Sequence, residues 1–309
     1  VKEFQLMVDQ KMTTAIDPLK CTGCGLCIRV CPDRTLAMIG DRAAVTGERC
    51  MHCGHCAAIC PADAVHVAGL DKWAQAFETF RFGGDRWLPP GRFDTPQLVS
   101  LMRSRRSCRN FLDTPVDTRS LEDLVKIGIT APSGTNSQKW TFTILPDRQI
   151  VLRLGTAIGR FFERLNRVAG NPLLRGGLKL LGRSQLNDYY REHYDSVRDA
   201  LVEWKTGGTD RLFHGATAAI LVGSEPGASC PMEDALLATQ NILLGAHSIG
   251  LGTCLVGFAV AAMQKDKSLK VALDIPPNEP VYSVIALGHP DETYLRPAGR
   301  KKPLVRWVS

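Results

Sequence analysis

Apolar residues gather in separate runs along the chain, and their spacing predicts the elements. Ala218 to Gly223 (AAILVG) is a short continuous apolar run and predicts a buried strand. Met232 to Gly252 carries apolar residues at helical spacing and ends in glycines, which predicts a helix with a defined stop. TCLVGF after it predicts a short strand or turn, and Glu279 to Pro290 another strand. Upstream, Thr95 and Pro96 have the form of an N-cap and a first helical residue, opening a helix to about Arg103. A second helix starts near Thr118, and the segment from Thr130 to Phe142 leads from it into a strand. Asn187 to Trp204 reads as a charged helix whose apolar side packs inward. Phe161 to Gln185 mixes apolar residues with Arg164, Arg167, Arg175, Lys179 and Arg183. Two readings compete there: a basic amphipathic element on a membrane surface, or a helical insertion packed on its own protein. The insertion, over about residues 159–205, is preferred.

The first 70 residues are organised by a repeat instead. The pattern C-x2-C-x2-C-x3-C-P occurs at Cys21 and again at Cys50, 29 residues on. Three cysteines on one tight loop can grip three corners of a cubane cluster, and the fourth, before a proline, points away to the other cluster. Cys21, Cys24, Cys27 and Cys60 are then the ligands of one 4Fe-4S cluster, and Cys50, Cys53, Cys56 and Cys31 those of a second. Gly25 and Gly54 fall where the backbone must turn tightly around sulfur. Zinc sites are the alternative, but they use paired C-x2-C hooks and not triplets. His52 and His55 read as loop side chains, because eight cysteines already fill both sites. This stretch, about residues 15 to 68, resembles the bacterial two-cluster ferredoxins.

Composition narrows the setting. The 309 residues are 44% hydrophobic and 22% charged, as expected of a soluble protein of about two domains. Eleven cysteines would suggest disulfides in a secreted chain. Here the clusters claim eight, which points to a reducing, cytoplasmic setting, and Cys108, Cys230 and Cys254 are left as free thiols. Residues 1–20 lack the apolar core of a secretory signal, and no run is long enough to span a membrane. The net charge of +7 lies wholly beyond residue 70, since the first 70 residues hold seven basic and seven acidic side chains. Basic residues interleaved with exposed aromatics are missing, so a nucleic-acid partner is not expected; an anionic cofactor or substrate is.

Between the two parts, residues 71–95 read as a linker lying on a surface. Its Trp73, Phe77, Phe80, Phe82 and Trp87 prefer burial. Ser104 to Phe111 (SRRSCRNF) crowds three arginines, which read either as a solvated charged turn at a helix end or as a phosphate site, since forked guanidiniums suit phosphate. Thr130 to Phe142 (TAPSGTNSQKWTF) is dense in small residues and amides: it reads either as a segment able to present N–H groups and amides to a flat heteroaromatic ring or as an ordinary helix-to-strand loop. GLGTCLVG fails as a dinucleotide fingerprint: its third glycine position is Leu255, and a helix precedes it instead of a strand.

RRSCRNF, APSGTNSQKWTF, GLGTCLVG, ALGHP and GRKKP, in that order from about Pro96 to the C-terminus, resemble the nitroreductase superfamily of FMN enzymes. The resemblance implies an α+β fold overall: the two-cluster domain (1–70), then a nitroreductase-like domain (96–309) with a mixed sheet flanked by helices, built as an intertwined homodimer. It implies that Arg105, Arg106, Ser107 and Arg109 grip the FMN phosphate and ribityl chain. Pro132, Ser133, Gly134 and Asn136 reach the isoalloxazine, often from the partner subunit. Leu255, Val256 and Gly257 lie along the ring, with a backbone N–H near N5, and Arg300 and Lys301 (or, one residue on, Lys302) close on the phosphate. Inserted helices roof the flavin. Lys139 departs from the proline common at its position.

The function implied is an FMN-dependent reductase of a small-molecule acceptor: a nitroaromatic, a quinone or an activated double bond. Two clusters in series would bring single electrons from a one-electron protein donor, and NAD(P)H is the other candidate donor. The flavin carries the chemistry, and no acid–base residue is expected. Two alternatives stay open: an electron-transfer subunit serving a partner complex, and a reductive dehalogenase.

Overall fold

The computed structural model describes residues 11–83 and 87–308. Residues 1–10 of the expected first domain, and Gly84 of the linker's glycine pair, lie outside the described residues.

β1 (Thr14–Ile16), α1 (Leu26–Val30), β2 (Leu36–Ile39), β3 (Arg42–Val45), α2 (His55–Ala58) and β4 (Val65–Val67) form the first unit. β1 pairs antiparallel with β4, and β2 with β3. The 29-residue repeat is written into the backbone. Gly25 and Gly54, before α1 and α2, have φ of 69° and 72°. Arg34 and Asp63 have φ of 53° and 47°. Gly23 (φ 74°) has His52 (φ 52°) as its counterpart. A Cβ at Gly23 would sit 2.0 Å from the Asp41 carbonyl oxygen, so glycine is required there. His52 occupies the same region with its ring Nε2 2.8 Å from the Lys11 carbonyl oxygen. Cys27, Leu36, Ala43, Cys56, Val65 and Val67 form a small core of this unit alone.

The second unit contains α3 (Thr95–Ser104), α4 (Thr118–Gly128), β5 (Trp140–Leu145), α5 (Arg148–Ala169), α6 (Pro172–Leu180), α7 (Gln185–Glu192) and α8 (Tyr194–Gly207). β6 (Ala218–Ser224), α9 (Pro231–Ser248), β7 (Gly252–Leu255), α10 (Gly257–Lys265), α11 (Ser268–Val271) and β8 (Val281–Gly288) follow. The cap of α3 is Asp94 and not Thr95: its carboxylate accepts the Gln97 N–H at 3.0 Å.

The sheet order is β5-β6-β8-β7, and every neighbouring pair is antiparallel. This corrects the expected mixed sheet. β6 and β7 do run the same way, as a strand–helix–strand crossover through α9 requires, but β8 is inserted between them. The parallel component is one isolated bridge, Ser107 to Thr253, on the outer edge of β7.

β6 and β8 are apolar almost without interruption because both their faces are covered. Ala219 and Leu221 of β6 point into a core with α5 and α10. Ala218, Ile220 and Val222 point into a second core with α4 and α9.

The basic stretch is not a separate block beginning at 159. α5 runs unbroken for 22 residues from Arg148. Its end is tied into the following helices: Tyr189 Oη donates to Asn166 Oδ1 at 2.6 Å, Arg175 donates to the Ala169 carbonyl oxygen, and the Arg175 guanidinium lies 3.5 Å over the Tyr190 ring. Arg175 thus packs on its own protein, and Arg164 pairs with Asp266 at 2.8 Å, while Arg167, Lys179 and Arg183, with Leu173 and Leu180 of α6, stay exposed. Among the described residues no helix is long and apolar enough to cross a membrane.

The linker departs from expectation in how it is held. Phe77 stacks on Phe80 at 4.6 Å and meets Phe82 at 5.6 Å, while Phe82 and Trp87 remain 59% and 76% exposed. The anchor is polar. Asp123 of α4, fully buried, accepts the Glu78 and Thr79 N–H groups at 2.9 and 2.8 Å and the Thr79 hydroxyl at 2.7 Å. Lys126, one turn on and 2% exposed, donates to Asp123 and to the Ala76 carbonyl oxygen. Burial alone would raise the Asp123 pKa, but the hydrogen bonds from Thr79, Glu78 and Lys126 hold it below the ordinary carboxylate value.

Candidate functional site

The cysteines gather in two sets. One cavity is lined by Cys21, Cys24, Cys27 and Cys60, the other by Cys31, Cys50, Cys53 and Cys56. In each, three come from one motif and the fourth, the one before proline, from the other. The local reason is the pair of left-handed glycines, Gly25 and Gly54, which turn each loop back around its cavity before the short helix begins. Among the described residues no three Cys, His, Asp or Glu side chains converge on a point fit for a single metal ion. Zinc would need thiolates about 2.3 Å from one centre. All-thiolate quartets spread around a cavity suit a larger iron–sulfur cluster. His55 lines neither cavity, and His52 is turned to Lys11.

The arginine segment lies along the edge of β7. The Cys108 N–H donates to the Thr253 carbonyl oxygen at 2.9 Å, and Leu112 to that of His289 at 2.9 Å. A Cβ at Gly252 would meet the Cys108 side chain at 2.9 Å, and one at Gly288 the Phe111 ring at 2.8 Å, so both glycines permit this close approach. Burial, then the charges of Arg106 and Arg300, push the Arg105 guanidinium below its ordinary pKa. Arg300, nearly 200 positions away in sequence, thus adds to the positive field at Arg105. Among the described residues no carboxylate pairs with the guanidinium of Arg105, Arg106 or Arg109. A half-buried cluster of unneutralised cations is a site for an anion, and it fits a phosphate. Glu292 organises its border, accepting Asn110 Nδ2 at 2.9 Å, Tyr294 Oη at 3.0 Å and the Arg109 N–H at 3.4 Å. Ser107 is half-buried, and Lys301 and Lys302 are exposed. Burial raises the Cys108 thiol to about 11, and Cys254 is raised for the same first reason.

The amide-rich loop is strained. Thr135, Asn136 and Gln138 all have positive φ, 50°, 55° and 48°. It is held by Asp234 in the first turns of α9, whose carboxylate accepts the Gly134 N–H at 2.8 Å and the Ser137 hydroxyl at 3.3 Å. Ser133 Oγ accepts the Gln138 N–H at 3.0 Å, and Pro132 is exposed. Asn136 reaches across to the first unit: its Nδ2 donates to the Met51 carbonyl oxygen at 2.9 Å, between Cys50 and Cys53. Lys139 is tied to the Pro226 carbonyl oxygen at 3.2 Å.

Within one chain these two groups are far apart. The loop enters β5 at Trp140, level with the end of β6; Ser107 is bridged to Thr253, which pairs with Leu287 and so lies level with Ala218 at the start of β6. Strand spacing and rise put Trp140 and Ser107 at opposite corners of the sheet, roughly 28 Å apart. Leu255, the last residue of β7, and Gly257, the first of α10, are exposed. Val256 is not available as the sequence suggested: its side chain is 5% exposed in the core, and its N–H donates to the Val284 carbonyl oxygen at 2.8 Å. The extended strand end, passing into α10, turns that one residue inward.

Sequence reasoning missed Asp234, Glu292, Met51 and the Asp123–Lys126 pair. Only the last left a local signal, an opposite-charge pair at i,i+3 on an otherwise amphipathic helix. A separate, largely apolar cavity of about 420 Å³ lies between α5 and α8, against Phe213 and Phe258.

Comparison with known proteins places these features. Residues 13–61 match the 4Fe-4S dicluster domain, and residues 102–289 match the nitroreductase family. A 4-nitrobenzoate reductase of Nocardioides sp. is 27% identical over 62% of this chain and 80% of its own length. An iodotyrosine dehalogenase 1 homolog of Caenorhabditis elegans is 27% identical over 66% of this chain; the match spans 58% of that protein's length. The crystal structure of a Bacteroides fragilis nitroreductase with bound FMN shares the fold, with a TM-score of 0.51 at 19% identity, covering 69% of this chain and 99% of that one. With the family match extending over well more than half its length, the chain belongs to the nitroreductase family and carries a 4Fe-4S dicluster domain ahead of its nitroreductase domain.

Proposed function

We propose that this enzyme binds FMN and two 4Fe-4S clusters, takes single electrons from a protein donor and reduces a small organic acceptor, a nitroaromatic, quinone or activated double bond. One observation carries the reading. The Asn136 to Met51 hydrogen bond joins the loop expected at the flavin to the loop between Cys50 and Cys53. A cluster there would be adjacent to the flavin and not merely tethered to it.

When bound, FMN supplies the conversion between single electrons and hydride transfer. The chain's own residues do the positioning. Arg105, Arg106 and Arg300, with Arg109 and Ser107 alongside, hold the phosphate end by charge-assisted hydrogen bonds. Pro132, Ser133, Gly134 and Asn136 frame the ring edge, with Asp234 holding their backbone still. Leu255 and Gly257 offer the exposed backbone beside it. The separation of these groups across the sheet exceeds the length of one mononucleotide. It supports a homodimer in which the arginines of one copy and the amide-rich loop of the other share each flavin. A second reading, reductive dehalogenation, is favoured by the likeness to the iodotyrosine dehalogenase homolog, equal in identity to that with the nitrobenzoate reductase.

Anaerobically purified protein should hold about eight irons and one FMN per chain, by metal analysis and by flavin release. Zinc in place of iron, or no flavin after reconstitution, would sink the proposal. Turnover of the photoreduced enzyme against nitroaromatics, quinones, enones and halophenols separates the acceptors; no turnover with any of them, together with a stable heteromeric complex on native purification, would favour an electron-transfer subunit.

Arg105→Ala should weaken FMN retention at least tenfold, from the loss of a charge-assisted bond worth about 1.5–3 kcal/mol. Iron content should not change. Flavin fluorescence during dialysis is the measurement, and wild-type retention would give the arginine cluster some other role.

A further inference from the structure

The two cysteine sets differ in what surrounds their sulfurs. In the second set, the Thr14 hydroxyl lies 3.3 Å from Cys50 Sγ and the Thr35 hydroxyl 3.5 Å from Cys31 Sγ. Both threonines are 8% exposed, and both line the same cavity as the cysteines. A thiolate has no proton to give, so with a cluster in place each hydroxyl is the donor. The His52 N–H adds a third contact to Cys50 Sγ at 3.3 Å. In the first set, the Ala64 N–H donates to Cys60 Sγ at 3.3 Å, and among the described residues no hydroxyl reaches a sulfur.

We infer that the buried hydroxyls of Thr14 and Thr35 hold the cluster carried by Cys31, Cys50, Cys53 and Cys56 at a higher reduction potential than its neighbour, making it the receiving member of the pair. The inference rests on the two-cluster reading above. The step concerned is a one-electron reduction: a low-potential one-electron donor loses one electron, the cluster gains it, and no bond forms or breaks. The added negative charge spreads onto the sulfurs, so a hydrogen bond to sulfur is stronger in the reduced state and favours it.

The surrounding charges partly support the same order. Lys11 and Arg49 are paired through their backbones immediately before Cys50, and two basic residues there favour reduction of the second set. Two features oppose it. Asp33 lines the second cavity, although its carboxylate is engaged by the Met51 N–H at 2.8 Å. Cys24 of the first set is exposed, and solvent there favours reduction of that cluster. Donors fixed against sulfur inside a dry cavity outweigh screened contacts with water at one thiol. The direction also agrees with position, since the Met51 carbonyl that binds Asn136 belongs to the second set's own loop.

The test is a potentiometric titration of the full-length protein with dithionite, followed by electron paramagnetic resonance. Wild type should show two cluster midpoints whose reduction equilibria differ by tenfold or more, 59 mV for a one-electron couple. Thr14→Val and Thr35→Val should each lower the upper equilibrium by about tenfold and leave the lower one in place. Thr14→Ser and Thr35→Ser, which keep the hydroxyl, should return it to wild type. Coincident wild-type midpoints would overturn the inference, as would valine variants that move the lower midpoint, both or neither. Should a valine variant lose iron, the alanine variant is titrated in its place, and the wild-type midpoints still decide. Fewer than about eight irons in wild type would overturn the two-cluster reading itself, an outcome separate from a failure of the threonines.

Discussion

Removal of residues 1–70 is expected to abolish flavin reduction by a low-potential one-electron protein donor while leaving a folded, FMN-binding enzyme. The hydrophobic clusters show why the two effects separate. The core of the first unit lies wholly within residues 16–67, and both cores of the second lie within 111–287. Among the described residues no buried apolar residue is shared, so the cut removes one core and leaves the others whole. The remaining domain is long enough to be stable alone. Dithionite, which reaches an open flavin directly, should still drive nitroaromatic reduction. Cys60→Ala should reproduce much of the loss with the fold intact, by removing a ligand of the cluster otherwise held by Cys21, Cys24 and Cys27. Stopped-flow flavin absorbance with reduced ferredoxin, and separately with NAD(P)H, is the measurement. An unchanged ferredoxin rate after truncation would take the clusters off the path. A large loss with NAD(P)H would point to a structural role through the Met51–Asn136 contact.

Asp123→Ala should be among the most destabilising single changes in the nitroreductase domain. It strips the acceptor of four donors, the Glu78 and Thr79 N–H groups, the Thr79 hydroxyl and the Lys126 ammonium, and leaves that ammonium, 2% exposed, with the Ala76 carbonyl and the Trp73 ring and no carboxylate. Breaking one side of a buried ion pair costs about 3–5 kcal/mol. It should also free residues 76–79 from α4, loosening the joint that holds the cluster domain against the flavin loop. Urea unfolding measures the first effect, and the ferredoxin-driven flavin reduction rate the second. The double variant Asp123→Leu with Lys126→Met should recover much of the stability, because no unpaired charge remains buried. It should not recover the rate, because nothing then holds the Glu78 and Thr79 backbone. Recovery of both would reduce the pair to packing. The pH dependence has a definite sign. Asp123 has its folded pKa held below the unfolded value, so its contribution is fully present above about pH 4. It is lost as the pH falls through the folded value.

Much of this was legible along the chain. The cluster ligands follow from a spacing that closes within twelve residues, and the period of 29 reappears as matching left-handed positions at 25 and 54 and at 34 and 63. β6, β8 and α9 announce themselves because covering on two faces, or on one, leaves a direct trace in which positions are apolar. After β5 only the helical insertion from about residue 159 was read, and the first turns of α5, from Arg148, were not.

What the sequence determined by itself is therefore local: which cysteines can share a loop, which segments are strand or helix, and where cationic charge is dense. Tertiary structure alone decided the rest. The insertion of β8 between β6 and β7 made the four strands pair antiparallel and set the arginines and the amide-rich loop at opposite corners. Folding brought Asn136 to Met51, Asp123 to Glu78 and Thr79, and Thr14 to Cys50. The physical reason is one of range. Ligand spacing and periodicity are fixed by bond geometry over a few residues, whereas strand order and the partner of a buried charge depend on contacts among residues dozens to hundreds of positions apart. Those contacts are chosen by the burial and hydrogen bonding of the whole molecule, and no single segment carries their signature.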